Sequence, residues 1–209
     1  MIGAVLFDFD GTLLNSKPLV TSILAEFAAT HFGAHHEPEE LAKYVGPPMT
    51  WTMSELGASD VPAAVEAYRR QYDARMFESE LFDGIPTMLA TVSARVPIGV
   101  ATSKRNDATT AILDHLGMTD LFTTIRGEDS NLTSKAAVIR AAVADLGEVD
   151  GEIVMVGDRI YDIEGARESG IDTVAVTWGT GNRDEYAQAA ASVDTVGELT
   201  DYLLARLSA

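Results

Sequence analysis

Two carboxylates, one residue apart, end the first apolar segment of the chain. Residues 4–16 read AVLFDFDGTLLNS, so Asp8 and Asp10 follow a buried-looking run and precede Gly11 and Thr12. Like charges this close oppose each other's ionisation, so a strand end of this kind needs a reason. An aspartate can accept a phosphoryl group as a nucleophile, and a neighbouring carboxylate can serve as acid and base. The spacing therefore predicts a site for phosphoryl transfer.

Other polar residues follow later apolar segments and add to this pair. They are Thr102 and Ser103 in GVATSK, Lys135 in LTSKAAVI, and Asp158 and Asp162 in GDRIYD. In an open parallel sheet, ligands bind outside the carboxyl ends of the strands, which would bring these groups together. A Mg²⁺ ion between Asp8 and Asp158 would relieve their repulsion and neutralise phosphoryl oxygens. We expect Mg²⁺ as the cofactor.

The same residues allow other interpretations. Asp8 and Asp10 could simply begin a turn, since aspartate favours such positions. A calcium-binding loop is disfavoured because it needs a glutamate six residues beyond the glycine, where this chain has Lys17. A signalling receiver also gathers acidic residues, a threonine and a lysine, but its accepting aspartate lies on the middle strand in chain order. Receivers also lack a helical insert.

Short apolar segments alternate with helical patterns over most of the chain. The predicted strands cover residues 2–7, 97–101, 121–126, 152–156 and 172–177, and the predicted helices cover residues 107–117, 134–147 and 162–170. Each of these helical patterns ends at a glycine, the usual residue just past a helix C-terminus. Alternation of this kind predicts an α/β fold around a parallel sheet.

Residues 16–82 differ from the rest, with helical periodicity and no convincing buried strand. We predict a four-helix insert over 16–82 within an α/β core formed by residues 1–15 and 83–209. The insert begins directly after the paired aspartates, so it would be rooted beside them.

The composition limits the partners that we expect. The formal net charge of −17 disfavours nucleic acid and anionic lipid, and the absence of cysteine excludes disulfides and thiolate metal sites. The N-terminal segment lacks a basic region, and no apolar stretch approaches the ~20 residues of a membrane helix. We expect a cytoplasmic protein, monomeric or dimeric, that acts on a small phosphorylated metabolite.

The motifs together resemble the haloacid dehalogenase (HAD) superfamily, in its phosphatase branch. DFDGT at 8–12, VATS at 100–103, Lys135, and GDRIYD at 157–162 resemble its four motifs in order. The resemblance implies a Rossmann-like core with a C1-type cap. Asp10 resembles the second aspartate that phosphatases and phosphomutases have and dehalogenases lack, so dehalogenation is disfavoured.

The resemblance also implies roles for individual residues. Asp8 would be the nucleophile and a metal ligand, and Asp10 would be the acid and base, with its main-chain carbonyl on the metal. Asp158 would complete the metal site, with Asp162 behind it. Phosphate would contact Gly11, Thr12, Thr102, Ser103 and Lys135.

YVGPPM at 44–49 resembles the cap of phosphoglycolate phosphatase-like and 5′-nucleotidase-like members. A phosphomutase of the β-phosphoglucomutase type and a pyrophosphatase remain alternatives. Arg105 and Arg159 follow two of the motifs; we expect solvated side chains for both rather than phosphate contacts. The absence of a proline after Lys135 leaves the third motif placed by spacing and local similarity.

Overall fold

A computed structural model describes residues 1–129 and 131–207, and it is built around a six-stranded parallel sheet. The strands are β1 (Ile2–Phe7), β2 (Leu14–Asn15), β3 (Glu80–Leu81), β4 (Ile98–Arg105), β5 (Thr124–Glu128), β6 (Glu152–Gly157), β7 (Asp172–Val176) and β8 (Ala191–Val193). The order in the large sheet is β5-β4-β1-β6-β7-β8. This arrangement confirms the predicted α/β fold class.

Strand β1 is the centre of the sheet, and all six of its residues are buried. Val5 is opposite Ile98 of β4 on one side and Val154 of β6 on the other. Because strands buried on both faces have no solvated side, the run IGAVLF is apolar throughout. The carboxyl ends of β4 and β6 therefore flank the residues that follow β1.

Helices cover both faces of the sheet. They are α1 (Lys17–Phe32), α2 (Met49–Glu55), α3 (Val61–Arg75), α4 (Ile85–Ser93), α5 (Asn106–His115), α6 (Lys135–Leu146), α7 (Ile160–Glu168), α8 (Arg183–Tyr186) and α9 (Val196–Leu204). Val5 and Phe7 belong to the hydrophobic cluster with α4 and α9, whereas Ala4 and Leu6 belong to that with α6 and α7. The alternation follows from the two-residue period of a strand.

The segment between β2 and β3 is helical and has a hydrophobic cluster of its own. It contains α1, a 3₁₀ segment at Pro38–Tyr44, α2, α3 and a short 3₁₀ turn at Met76–Glu78. Ile23, Leu24, Phe27 and Met53 are buried at its centre. Of the four predicted helices, the second is thus a 3₁₀ helix. We call the segment 16–82 the cap; its boundaries remain those of the sequence-based prediction.

A two-stranded antiparallel pair joins the cap to the sheet. Leu14 of β2 is opposite Leu81 of β3, and Asn15 is opposite Glu80. Both segments are only two residues long, and the prediction missed them because so short a run carries no periodicity. The β2–β3 pair holds the two segments that connect the cap to the core side by side, directly after Asp8 and Asp10.

The predicted strand at 121–126 begins three residues too early. Residues Thr119–Leu121 form a 3₁₀ turn, and β5 runs over Thr124–Glu128. Phe122 follows this turn and is buried against the core. In the sequence, an apolar residue buried from a turn looks the same as one buried from a strand, so the strand was predicted to begin too early. Strand β8 and helix α9 were not predicted. No helix within residues 1–129 and 131–207 has the length and apolarity to cross a membrane.

Candidate active site

Asp8 and Lys135 form a buried ion pair where β1 ends. The ammonium Nζ of Lys135 lies 2.6 Å from Asp8 Oδ1, and both residues are less than a tenth exposed. Burial raises the pKa of Asp8 to about 6, although Lys135 opposes the shift. Burial alone would lower the pKa of Lys135, but Asp162 and Asp8 raise it above its ordinary value, so its charge is retained. Lys135 is therefore buried between Asp8 and Asp162 and retains its charge there.

Asp158 and Asp162 complete a cluster of buried carboxylates with Asp8. One oxygen of each lies within 4.8 Å of the others. Burial, together with the charges of Asp162 and Asp8, raises the pKa of Asp158 to about 7. Asp162 is engaged on both oxygens, since Oδ1 is 2.6 Å from Lys135 Nζ and Oδ2 accepts a hydrogen bond from the Arg159 amide.

The carboxylate of Asp158 is held in a space that two glycines leave open. A Cβ atom placed on Gly11 or on Gly179 would clash with Asp158 Oδ2, so a side chain at either position would have to displace that carboxylate. The amide and hydroxyl of Thr180 both donate to the same Oδ2, at 2.6 and 3.1 Å. The Thr12 hydroxyl donates to Oδ1 at 3.4 Å.

Asp10 is paired with a lysine that the sequence analysis did not single out. Lys104 Nζ lies 3.2 and 3.0 Å from the two oxygens of Asp10 and 4.3 Å from the ring centre of Tyr72 in the cap. Burial would lower the pKa of Lys104, but Asp10 and Tyr72 outweigh it and raise the pKa. Asp10 therefore faces the cap and a cation, while Asp8 faces the carboxylate cluster.

The predicted phosphate contacts divide into two groups. Thr102 and Ser103 line a cavity of about 30 Å³ together with Asp8, Asp10 and Lys135. Gly11 and Thr12 instead lie against the carboxylate of Asp158. The Thr12 hydroxyl is directed at that carboxylate, and its carbonyl accepts a hydrogen bond from the Trp178 indole.

Two arginines join the core to the cap, in contrast to their expected solvation. Arg159 is only 15% exposed at its side chain, donates to the carbonyl of Val45 at 2.6 Å and pairs with Glu185. Arg105 pairs with Asp73 of α3 as well as with Asp107. The expectation was wrong because it depended on local sequence, whereas Arg159 and Val45 are 114 residues apart.

Lys104 was missed because the predicted strand ended at residue 101. Strand β4 runs on to Arg105, but its pairing with β5 is irregular between Ala101 and Arg105. Regular strand alternation therefore does not indicate that Lys104 faces Asp10. The contact of Thr180 with Asp158 could not be predicted from the sequence either, because it depends on how the loop after β7 folds.

The carboxylate cluster fits a divalent cation. Three buried acidic groups surround one ammonium, so their charge is under-compensated, and two of them have raised pKa values. Oxygen ligands are those that Mg²⁺ prefers. The space left by Gly11 and Gly179 lets the chain approach Asp158 closely without displacing its oxygens.

The chain combines a parallel α/β sheet, a cluster of buried carboxylates at the carboxyl ends of its strands, and a helical insert with its own hydrophobic cluster. A sequence profile of the haloacid dehalogenase-like hydrolase family matches residues 5–176. The chain therefore belongs to that family, and the predicted family and class of enzyme are confirmed.

Individual relatives extend the similarity over most of the chain. It is 39% identical to tyrosine-protein kinase PtkA of Mycobacterium tuberculosis, covering 95% of this chain and 70% of that protein. It is 32% identical to a 5′-nucleotidase of Pseudomonas aeruginosa, covering 87% of this chain and 85% of that protein. A crystal structure described as a predicted phosphatase from Clostridium acetobutylicum superposes with a TM-score of 0.88 at 32% identity, covering 98% of this chain and 99% of that one.

Proposed function

We propose that the protein is a Mg²⁺-dependent phosphatase that hydrolyses a small phosphorylated metabolite through an aspartyl-phosphate on Asp8. The observation that carries the proposal is the position of Asp8, which meets Lys135 at 2.6 Å and also belongs to the buried cluster with Asp158 and Asp162. A nucleophilic carboxylate needs neighbouring positive charge when a phosphate approaches. Lys135 supplies one such charge, and a bound cation would supply the rest.

In the first step, an Asp8 oxygen attacks phosphorus and the ester P–O bond breaks. The departing oxygen takes a proton from Asp10, which acts as the general acid. In the second step, Asp10 removes a proton from a water molecule whose oxygen attacks phosphorus. The Asp8–phosphorus bond then breaks, which releases phosphate and restores both carboxyl groups.

Lys135, Thr102 and Ser103 would hold the transferred phosphoryl oxygens, since all three line the cavity at Asp8. Asp8, Asp158 and the main-chain carbonyl of Asp10 would hold Mg²⁺. When bound, the ion would neutralise negative charge on the phosphoryl group. Asp162 would keep Lys135 in place through its Oδ1 atom.

Phosphate release from a panel of phosphorylated metabolites, measured with Mg²⁺ and with EDTA, tests the proposal. We expect Mg²⁺-dependent release that Asp8→Asn abolishes without unfolding the protein. Interconversion of hexose phosphate isomers without release would favour the phosphomutase, and preference for pyrophosphate would favour the pyrophosphatase. Full activity of Asp8→Asn or activity in EDTA would refute the mechanism.

Transfer to a tyrosine hydroxyl is a second candidate. The 39% identity to a protein named a tyrosine kinase favours it, and a carboxylate that takes a proton from water can also take one from a hydroxyl. Against this candidate, the sequence lacks the G-x-x-x-x-G-K-[ST] loop that commonly binds the nucleoside triphosphate from which a kinase transfers phosphate. Labelled ATP with a tyrosine peptide separates the candidates, because a kinase labels the peptide whereas a phosphatase releases inorganic phosphate.

A further inference from the structure

A cavity of about 140 Å³ between the cap and the core adjoins the phosphate position. Asp10, Gly46 and Ser103 line both this cavity and the smaller one that contains Asp8 and Lys135. When a phosphate ester binds at Asp8, its leaving group must therefore enter the larger cavity, which we call the leaving-group pocket. This inference rests on the proposed function.

The leaving-group pocket has apolar and aromatic walls, and the space they enclose is about the size of one aromatic ring. Its walls include Val20, Tyr44, Pro48, Met49, Tyr68 and Tyr72. The Tyr68 and Tyr72 rings are stacked at 6.3 Å, and burial raises the pKa of both, so they stay neutral. An apolar protein cavity of about 150 Å³ accommodates benzene. A single aromatic ring thus matches the pocket in both size and chemistry.

A short anionic leaving group suits the pocket poorly. Lys104 is already paired with Asp10, and Arg105, which lines both the pocket and the groove outside it, is paired with Asp73 and Asp107. A carboxylate such as that of glycolate would have to displace one of these partners beside apolar walls, which is costly.

The outer end of the pocket carries opposite charges on Arg69 and Glu128. Both also line the open groove that leads outward from the pocket. Within the part of the chain that the structure describes, the Arg69 side chain has no hydrogen bond and no ion pair. Burial raises the pKa of Glu128, and the charges of Lys135 and Arg69 oppose that shift. A carboxylate can therefore reach Arg69 while an ammonium reaches Glu128.

We propose that the substrate is the phosphate ester of a single-ring phenol with a zwitterionic tail, the chemistry of O-phosphotyrosine. The phosphate lies at Asp8, the ring lies in the leaving-group pocket, and the amino-acid group lies between Arg69 and Glu128. Each of the three adjoining spaces then holds the part of the ligand that it complements.

Relative kcat/KM values in Mg²⁺ test the ring. O-phosphotyrosine is compared with O-phosphoserine, which has the same charged group and no ring, and with phosphoglycolate and adenosine 5′-monophosphate. Val20→Phe partly fills the pocket, and we expect it to lower the phosphotyrosine-to-phosphoserine ratio about tenfold, as steric exclusion in an apolar pocket does. Leu19→Phe, at a buried neighbour outside the pocket walls, is the control and should leave the ratio unchanged. Comparing this ratio between each variant and the wild type cancels the intrinsic difference in leaving-group reactivity.

A second pair of variants tests the tail. Arg69→Gln should lower the ratio of O-phosphotyrosine to phenyl phosphate about fivefold, the effect of an exposed ion pair. Arg70→Gln is the matched control, because Arg70 pairs with Glu66 and lies outside the pocket. Equal ratios in the two variants would overturn the assignment of the tail.

The outcomes separate this inference from the proposed function. A higher kcat/KM on phosphoglycolate or the nucleotide than on O-phosphotyrosine would overturn the aryl substrate and leave the phosphatase intact. An unchanged phosphotyrosine-to-phosphoserine ratio in folded Val20→Phe would do the same. If Mg²⁺ supports phosphate release from no substrate, the proposed function fails together with the inference.

Discussion

Asp158→Asn should stabilise the metal-free protein while abolishing its activity. Asp158 is fully buried, and its pKa rises from 3.8 to about 7 on folding. A raised folded pKa means that the stabilising contribution is complete below pH 3.8 and is lost as the pH rises through 7. At pH 8 the ionised carboxylate therefore opposes folding, and asparagine removes that charge.

The size of the effect follows from the shift. Three pKa units correspond to about 4 kcal/mol at pH 8. The net shift already includes the charged hydrogen bonds from Thr180, so their loss is not subtracted again. A gain of about 4 kcal/mol raises Tm by about 8–16 °C for a chain of this length. At pH 5 the ionisation cost, and with it the gain, falls to about 2 kcal/mol.

Thermal unfolding in EDTA at pH 8 and pH 5 measures this prediction. Asp201→Asn, at an exposed site on α9, is the matched control and should change stability by less than about 0.5 kcal/mol. A lower Tm of Asp158→Asn than of the wild type at pH 8 would refute the reasoning, since it would mean that the buried carboxylate stabilises the metal-free fold.

Three further predictions concern the same cluster. Lys135→Met should destabilise the protein by about 3 kcal/mol in denaturant unfolding, because carboxylates stay buried without their cation; an unchanged midpoint would contradict this. Gly179→Ala should lower activity and abolish the rise in Tm on adding Mg²⁺, since a Cβ would displace Asp158, whereas Gly197→Ala, where the space is open, should retain both. Mg²⁺ should raise the wild-type Tm more at pH 8 than at pH 5.5, because it must displace protons from groups whose pKa values are about 6 and 7; an equal rise at both pH values would count against the carboxylate site.

The features that could be predicted from the sequence depend on hydrophobic periodicity and on the order of the strands. The apolar run of β1 and the alternation after it defined a parallel sheet, and a parallel sheet brings Asp8, Asp10 and Asp158 to one edge. Helical periodicity also indicated the cap. These features depend on residues close together in the chain or on rules that hold for any parallel sheet.

Contacts made between distant segments were not predictable in this way. Lys104 contacts the Tyr72 ring, and Arg159 donates to the Val45 carbonyl, only when the cap lies on the core. Neither contact leaves a pattern in the local sequence. The start of β5 was wrong for a related reason, since the burial of Phe122 in a turn looks like that of a strand residue.

The most direct test of the central claim is to trap the phosphorylated aspartate. Enzyme quenched during turnover with Mg²⁺ and a hydrolysed substrate is treated with borohydride, which converts an aspartyl-phosphate to homoserine, and its peptides are analysed by mass spectrometry. We predict homoserine at Asp8 alone, absent without substrate and absent in Asp8→Asn. Conversion at Asp10 instead, or efficient turnover with Asp8 unmodified at every quench time, would contradict the account.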